Sequence, residues 1–162
     1  MNPQERDFSR LAIEQAQKSV EQGGFPAGAV VVKGGQIVSR GISVGFTLND
    51  PTSHAETAAI REACKTLETT DLSGAILYES VECCVMCFSV ANWAGISRIV
   101  YAARKTPEMA EKGYYEGTTN NNTLNEQNTR KIDLVHASEL EQESLKVIEG
   151  WKKQGGFGKK AS

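Results

Sequence analysis

Ala75-Ile76-Leu77-Tyr78-Glu79-Ser80-Val81-Glu82-Cys83-Cys84-Val85-Met86-Cys87 is the stretch from which the architecture of this chain can be read. Ala75–Glu79 has the aliphatic and aromatic content of a strand. It runs directly into three clustered cysteines, and a helix pattern follows over roughly 84–94, ended by Gly95. Upstream lies a second informative fragment, Asp50-Pro51-Thr52-Ser53-His54-Ala55-Glu56. Pro51 and Ser53 precede a good helix pattern over Ala55–Leu67, so His54-Ala55-Glu56 stands at a helix start.

The two fragments together offer one imidazole, two thiols at C-x-x-C spacing and a carboxylate beside the imidazole. Zinc prefers nitrogen and sulfur, and three such ligands leave a fourth position open for water. The metal lowers the pKa of that water, and a neighbouring carboxylate can shuttle its proton. Cys84 and Cys87 share a helix face at i, i+3; Cys83 and Cys87 are also in reach of each other at i, i+4. Cys83 otherwise reads as a small buried residue. A thioredoxin-like role for Cys84-Val85-Met86-Cys87 is the competing reading, and the upstream His54-Ala55-Glu56 argues against it. Both fragments open helices, where partial positive charge favours thiolates and free N–H groups can hold a carbonyl oxygen. His54 and Glu56 are two residues apart and would diverge on a regular helix, so the first turn must depart from regularity.

Working outward, residues 4–22 read as an amphipathic helix with Phe8, Leu11, Ala12, Gln15, Ala16 and Val20 on one mostly apolar stripe, stopped by Gly23-Gly24. Ala27–Lys33 and Gln36–Val44 are β-rich runs, and Gly34-Gly35 between them predicts a hairpin. Leu48–Ser53 reads as a loop, Ser97–Ala102 as a strand and Pro107–Lys112 as a short helix. Gly113–Gln127 is polar and Asn-rich and reads as a long loop. Lys131–Val135 reads as a strand and Glu139–Lys153 as a final helix. The expectation is one domain over 1–154 and a flexible C-terminal tail over 155–162. The alternation implies an α/β protein with helices on both faces of its sheet.

Composition narrows the function. The chain has 162 residues, with 18 Lys+Arg against 20 Asp+Glu and a net charge of −2, so no global basic field favours nucleic acid. Three of its four cysteines are clustered, which reads as a metal site in a reducing, cytoplasmic setting. No apolar run approaches a membrane span, and the N-terminus lacks the pattern of a signal peptide.

His54-Ala55-Glu56 and Cys83-Cys84-Val85-Met86-Cys87 match the zinc deaminase signature H-x-E…P-C-x-x-C, with Cys83 at the proline position. Further pieces are Pro26-Ala27-Gly28-Ala29-Val30, Ala59-Ile60-Arg61, Leu77-Tyr78-Glu79-Ser80 and Arg98-Ile99-Val100-Tyr101-Ala102-Ala103. Over about residues 8–105 the chain resembles the cytidine and deoxycytidylate deaminase superfamily, nearest its bacterial guanine deaminase and tRNA adenosine deaminase branch. The resemblance implies a three-layer α/β/α sandwich with a five-stranded mixed sheet. It implies one Zn2+ per chain on His54, Cys84 and Cys87, with Glu56 as the catalytic proton shuttle. The amides of Ala55 and Cys84 would face the attacked ring, in a homodimer or larger assembly.

Substrate contacts depart from the family pattern. Gly41-Ile42-Ser43 stands where members have a base-contacting Asn, so Ser43 offers a hydroxyl in place of an amide. Asn49 is a candidate substitute and also reads as a turn residue before Asp50-Pro51. Glu116, beside Tyr115, stands near the acidic residue of guanine deaminases. Phe25, Trp93 and one of Tyr114 and Tyr115 are candidate pocket walls, while His136 reads as a surface residue. The leading expectation is a zinc-dependent hydrolase that deaminates a small nucleobase or nucleoside, with guanine first. The alternatives are a tRNA adenosine or a cytosine-type deaminase, or a structural zinc module with no use for Glu56.

Overall fold

The computed structural model describes residues 1–158. Helix α1 (Pro3–Glu21) begins with Pro3 and a reciprocal cap. Asn2 Oδ1 accepts from the Glu5 amide, while Glu5 accepts from the Asn2 amide. Strands β1 (Gly28–Lys33) and β2 (Gln36–Ile42) form the expected antiparallel hairpin. Its turn works because Gly34 and Gly35 both adopt positive φ, 59° and 77°. Then follow α2 (Gly45–Leu48), α3 (Ala55–Thr66), β3 (Ile76–Val81), α4 (Val85–Trp93) and β4 (Arg98–Ala103). The chain continues through α5 (Pro107–Glu111), α6 (Asn121–Gln127), β5 (Asp133–His136) and α7 (Glu141–Lys153).

The sheet order is β2-β1-β3-β4-β5. Strand β1 is antiparallel to both β2 and β3, while β3, β4 and β5 are mutually parallel. Helices α1 and α7 pack on one face, α3 and α4 on the other, giving the three layers expected. The larger core lies under α3 and α4 and includes Val31, Leu77, Ile99, Ile60 and Phe88; a second lies under α1 around Phe8, Val30 and Tyr78. Because β1 is antiparallel to each, β2 and β3 run in the same direction. The next multi-turn helices after them, α3 and α4, therefore both start near one end of the sheet.

Three expectations need correction. The long loop over Gly113–Gln127 ends in a helix, α6, capped by Asn120 Oδ1 on the Asn122 amide. Leu124 is the only large apolar residue in that helix, so periodicity could not reveal it. Strand β2 stops at Ile42, and the one-turn α2 occupies residues placed partly in the strand-to-loop run. The tail is not wholly free: Gly156–Gly158 forms a 3-10 turn and Phe157 packs on Trp151, Phe25 and Tyr114. The remainder of that tail, 159–162, lies outside the described residues. No helix among the described residues is long and apolar enough to cross a membrane.

One glycine sets the distance between β2 and α3. A Cβ on Gly41 would come within 1.9 Å of the Ala55 carbonyl oxygen and 2.6 Å of the Ala59 amide nitrogen. Gly41→Ala is expected to cost about 1–3 kcal/mol or more, because rigid backbone must move. Gly150 lies inside α7, and a Cβ there would meet nothing within 4 Å among the described residues. Gly150→Ala is expected to add about 0.5–1 kcal/mol. Urea unfolding of the two variants checks both signs.

Candidate active site and metal centre

The start of α3 resolves the spacing difficulty between His54 and Glu56. His54 is the N-cap, extended at φ −82° and ψ 158°, while Glu56 lies in the first helical turn. The change of backbone conformation at the cap lets both side chains reach one cavity. Cys84 plays the matching part in α4. It is an extended N-cap whose Sγ accepts from the Cys87 amide at 3.5 Å.

His54 Nδ1 lies 3.5 Å from Cys84 Sγ and 3.6 Å from Cys87 Sγ. All three donor atoms fall within 4.8 Å of one another. Zinc–nitrogen bonds of about 2.0–2.1 Å and zinc–sulfur bonds of about 2.3 Å at a tetrahedral angle place nitrogen and sulfur roughly 3.5–3.6 Å apart. Both nitrogen–sulfur separations therefore match the edges of a zinc tetrahedron, and three donors leave its fourth corner open. The Thr57 hydroxyl supports this arrangement from 3.3 Å at Cys87 Sγ. Hydrogen bonding with the Cys87 thiol, and then with His54, pulls the Cys84 thiol down to about 5. Cys83 is not part of this donor group and is 2% exposed in the core, in keeping with its reading as a small buried residue.

Glu56 is buried yet lines the cavity. Desolvation, then the negative charge on Cys84, pushes its carboxyl up to about 7, where a group can both take and return a proton near neutral pH. The cavity has a volume of about 830 Å³, ample for a small heterocycle. Among the described residues its lining holds Asp50, Glu56, Glu82 and Glu116 but neither lysine nor arginine.

Phe25, Ser43, Asn49, Tyr115 and Glu116 all line this cavity. Asn49 does so while serving as the left-handed C-cap of α2 at φ 52°. Glu116 Oε1 accepts from the Val85 amide, 2.6 Å away at the first position of α4. The Tyr115 hydroxyl donates to the Glu82 carbonyl. The Ala55 side chain is in the core, and its amide belongs to the first turn of α3, where N–H groups have no intrahelical acceptor. Trp93 is the correction: it is 88% exposed and does not line the cavity. The helix end that meets the cavity is Val85-Met86, roughly 12 Å along the axis from Trp93. His136 is partly buried, with Nδ1 accepting from Arg104.

Phe46 and Phe157 at the cavity mouth were not anticipated. They meet at 5.3 Å between ring centroids across a long sequence separation that no local pattern encodes. Glu79 also went unassigned, though an acidic residue inside an apolar strand was a visible signal.

Residues 2–103 match the family model for the cytidine and deoxycytidylate deaminase zinc-binding region. This chain belongs to that family. It is 44% identical over 108 residues to guanine deaminase of Bacillus subtilis, covering 66% of this chain and 69% of the relative. It is 38% identical over 96 residues to a tRNA-specific adenosine deaminase of Aquifex aeolicus, covering 59% of this chain and 64% of that relative. A solved structure in complex with 2,6-diaminopurine superposes with a TM-score of 0.81 at 25% identity, over 92% of this chain and 82% of the other. The family is zinc-dependent, and the donor geometry of His54, Cys84 and Cys87 fits that metal.

One zinc per chain is the expected stoichiometry. Cys84→Ser and Cys87→Ser should each lose the metal, and Cys83→Ala should keep it, as elemental analysis after dialysis will report. Loss of zinc from Cys83→Ala equal to that from Cys84→Ser would show that the ligand register is wrong.

Proposed function

We propose that this protein is a hydrolytic deaminase of a small free base or nucleoside, with guanine as its first candidate. The net reaction adds water across C–NH2 and releases ammonia, leaving C=O. Bound zinc would supply the Lewis acidity that lets water give up a proton at neutral pH. His54, Cys84 and Cys87 hold the metal in this reading. Glu56 takes one proton from water and passes it to the ring nitrogen; it then takes the second from the new C–OH as C=O forms and gives it to the departing amine, which leaves as ammonia. The amides of Ala55 and Cys84 face the attacked ring, and Phe25, Ser43, Asn49 and Tyr115 enclose it. Glu116 accepts hydrogen bonds from an amidine or guanidine edge in exchange for its present bond to the Val85 amide.

The observation that carries the substrate class is the carboxylate-bearing cavity without lysine or arginine among its described lining residues. Such a lining favours N–H-rich neutral or cationic edges and repels phosphate, the group that supplies much of nucleic-acid affinity. The guanine deaminase similarity points the same way. The second reading, adenosine within tRNA, draws on the similarity to the Aquifex aeolicus enzyme. Purified protein given tRNA and a panel of free bases and nucleosides, scored for inosine and for ammonia, separates the two. Ammonia from guanine is the expected result; inosine in tRNA with no small-molecule turnover would reverse the assignment. In the same assay Glu56→Ala should retain zinc and lose at least about 10²-fold in turnover.

Two further features belong to this reading. The four cysteines are free thiols, which suits a reducing cytoplasm. Met86, Val90 and Trp93 follow one face of α4 at i, i+4 and i+7, and an indole 88% exposed favours cover by a second copy of the chain. Sedimentation should therefore find a homodimer that Trp93→Glu dissociates; an unchanged dimer would place the interface elsewhere.

A further inference from the structure

Cys83 is the residue that leads the chain from β3 into the metal-binding turn, and both of its peptide groups are held by buried side chains. Its amide donates to Glu79 Oε2 at 3.1 Å, and its carbonyl accepts from Asn121 Nδ2 at 2.9 Å. Glu79 comes from β3 and is 0% exposed; Asn121 opens α6 and is 1% exposed. The remaining oxygen of each side chain, Glu79 Oε1 and the amide oxygen Asn121 Oδ1, has no hydrogen-bond partner among the described residues. Among those residues, the hydrogen bonds of both side chains therefore all go to Cys83. Burying a carboxyl with so few partners is costly, and neither group takes part in the proton transfers assigned to Glu56.

We propose that Glu79 and Asn121 are positioning residues that clamp the peptide groups of Cys83 and thereby aim Cys84 at the zinc. The clamp grips backbone, so the Cys83 side chain is dispensable while its N–H is not free to go unpaired. Glu79 answers a donor that proline, the residue of the general signature at this position, would lack. Cys84 is the next residue; its Sγ lies 3.5 Å from His54 Nδ1 and accepts from the Cys87 amide. A small rotation of the Cys83–Cys84 peptide would swing that sulfur out of register. Groups that orient metal ligands in this way affect metal affinity strongly when removed.

The inference rests on the zinc-deaminase reading for its metal but not for its substrate, so the test uses zinc release alone. Zinc-loaded protein is mixed with excess chelator, and release is followed below the unfolding midpoint of each variant. Glu79→Leu and Asn121→Ala are each expected to speed release by roughly 10–100-fold, while Glu79→Gln, whose carbonyl can still accept from Cys83, stays within about threefold of the parent. In a Cys83→Pro background the N–H is gone, and Glu79→Leu should then add no further acceleration. Unchanged release in Glu79→Leu and Asn121→Ala would overturn the proposal, as would equal acceleration by Glu79→Leu with and without Cys83→Pro. Should the proline variant fail to fold, the comparison of Glu79→Gln with Glu79→Leu decides, and equal rates refute the clamp. Failure of the parent to deaminate any base would overturn the proposed function and leave these release rates interpretable.

Discussion

Three donors can share one zinc only if their separations are the edges of a small tetrahedron, and here that requires two helix N-termini to meet. His54 ends the approach to α3 and Cys84 the approach to α4, and both are extended caps. The meeting depends on strand direction. Strand β1 is antiparallel to both β2 and β3, so the multi-turn helices reached after β2 and β3 begin at the same end of the sheet. Gly41 then lets α3 settle directly on β2. Remove either condition and the imidazole would stand several ångströms from the thiols, too far for bonds of about 2.0–2.3 Å to a common ion.

Charge around this centre is arranged with the same economy. Helix starts stabilise thiolate, and Cys84 sits at one of them with Cys87 and His54 as partners. Glu56 occupies the dry side of the cavity, where burial raises its carboxyl toward neutrality. The remaining carboxylates, Asp50, Glu82 and Glu116, face the open volume. Glu116 is already bonded to the α4 N-terminus, so it holds that end of the helix while standing within the cavity.

The cavity mouth is a product of distant segments. Phe25 precedes β1, Tyr114 follows α5, and Trp151 and Phe157 come from the C-terminal helix and turn. Their rings meet edge-to-face, tilted or stacked, with centroids 4.9–5.9 Å apart. Such contacts add attraction beyond simple burial. They bring residues that follow α7 to the wall of a cavity whose chemistry lies between residues 54 and 87.

Ligand chemistry and element order were legible in the chain itself. The side chains of His54, Glu56, Cys84 and Cys87 carry their chemistry wherever they are placed, and strand and helix periods at 28–42, 55–66 and 76–103 reflect local burial. The hairpin was equally legible, because only glycine readily tolerates the positive φ that Gly34 and Gly35 adopt. Tertiary packing decided the rest. The exposure of Trp93, the helix in an Asn-rich segment, the aromatic mouth and the grip of Glu79 and Asn121 on Cys83 all involve contacts between elements. Local sequence periodicity reports which face of an element is buried; it does not report what that face meets.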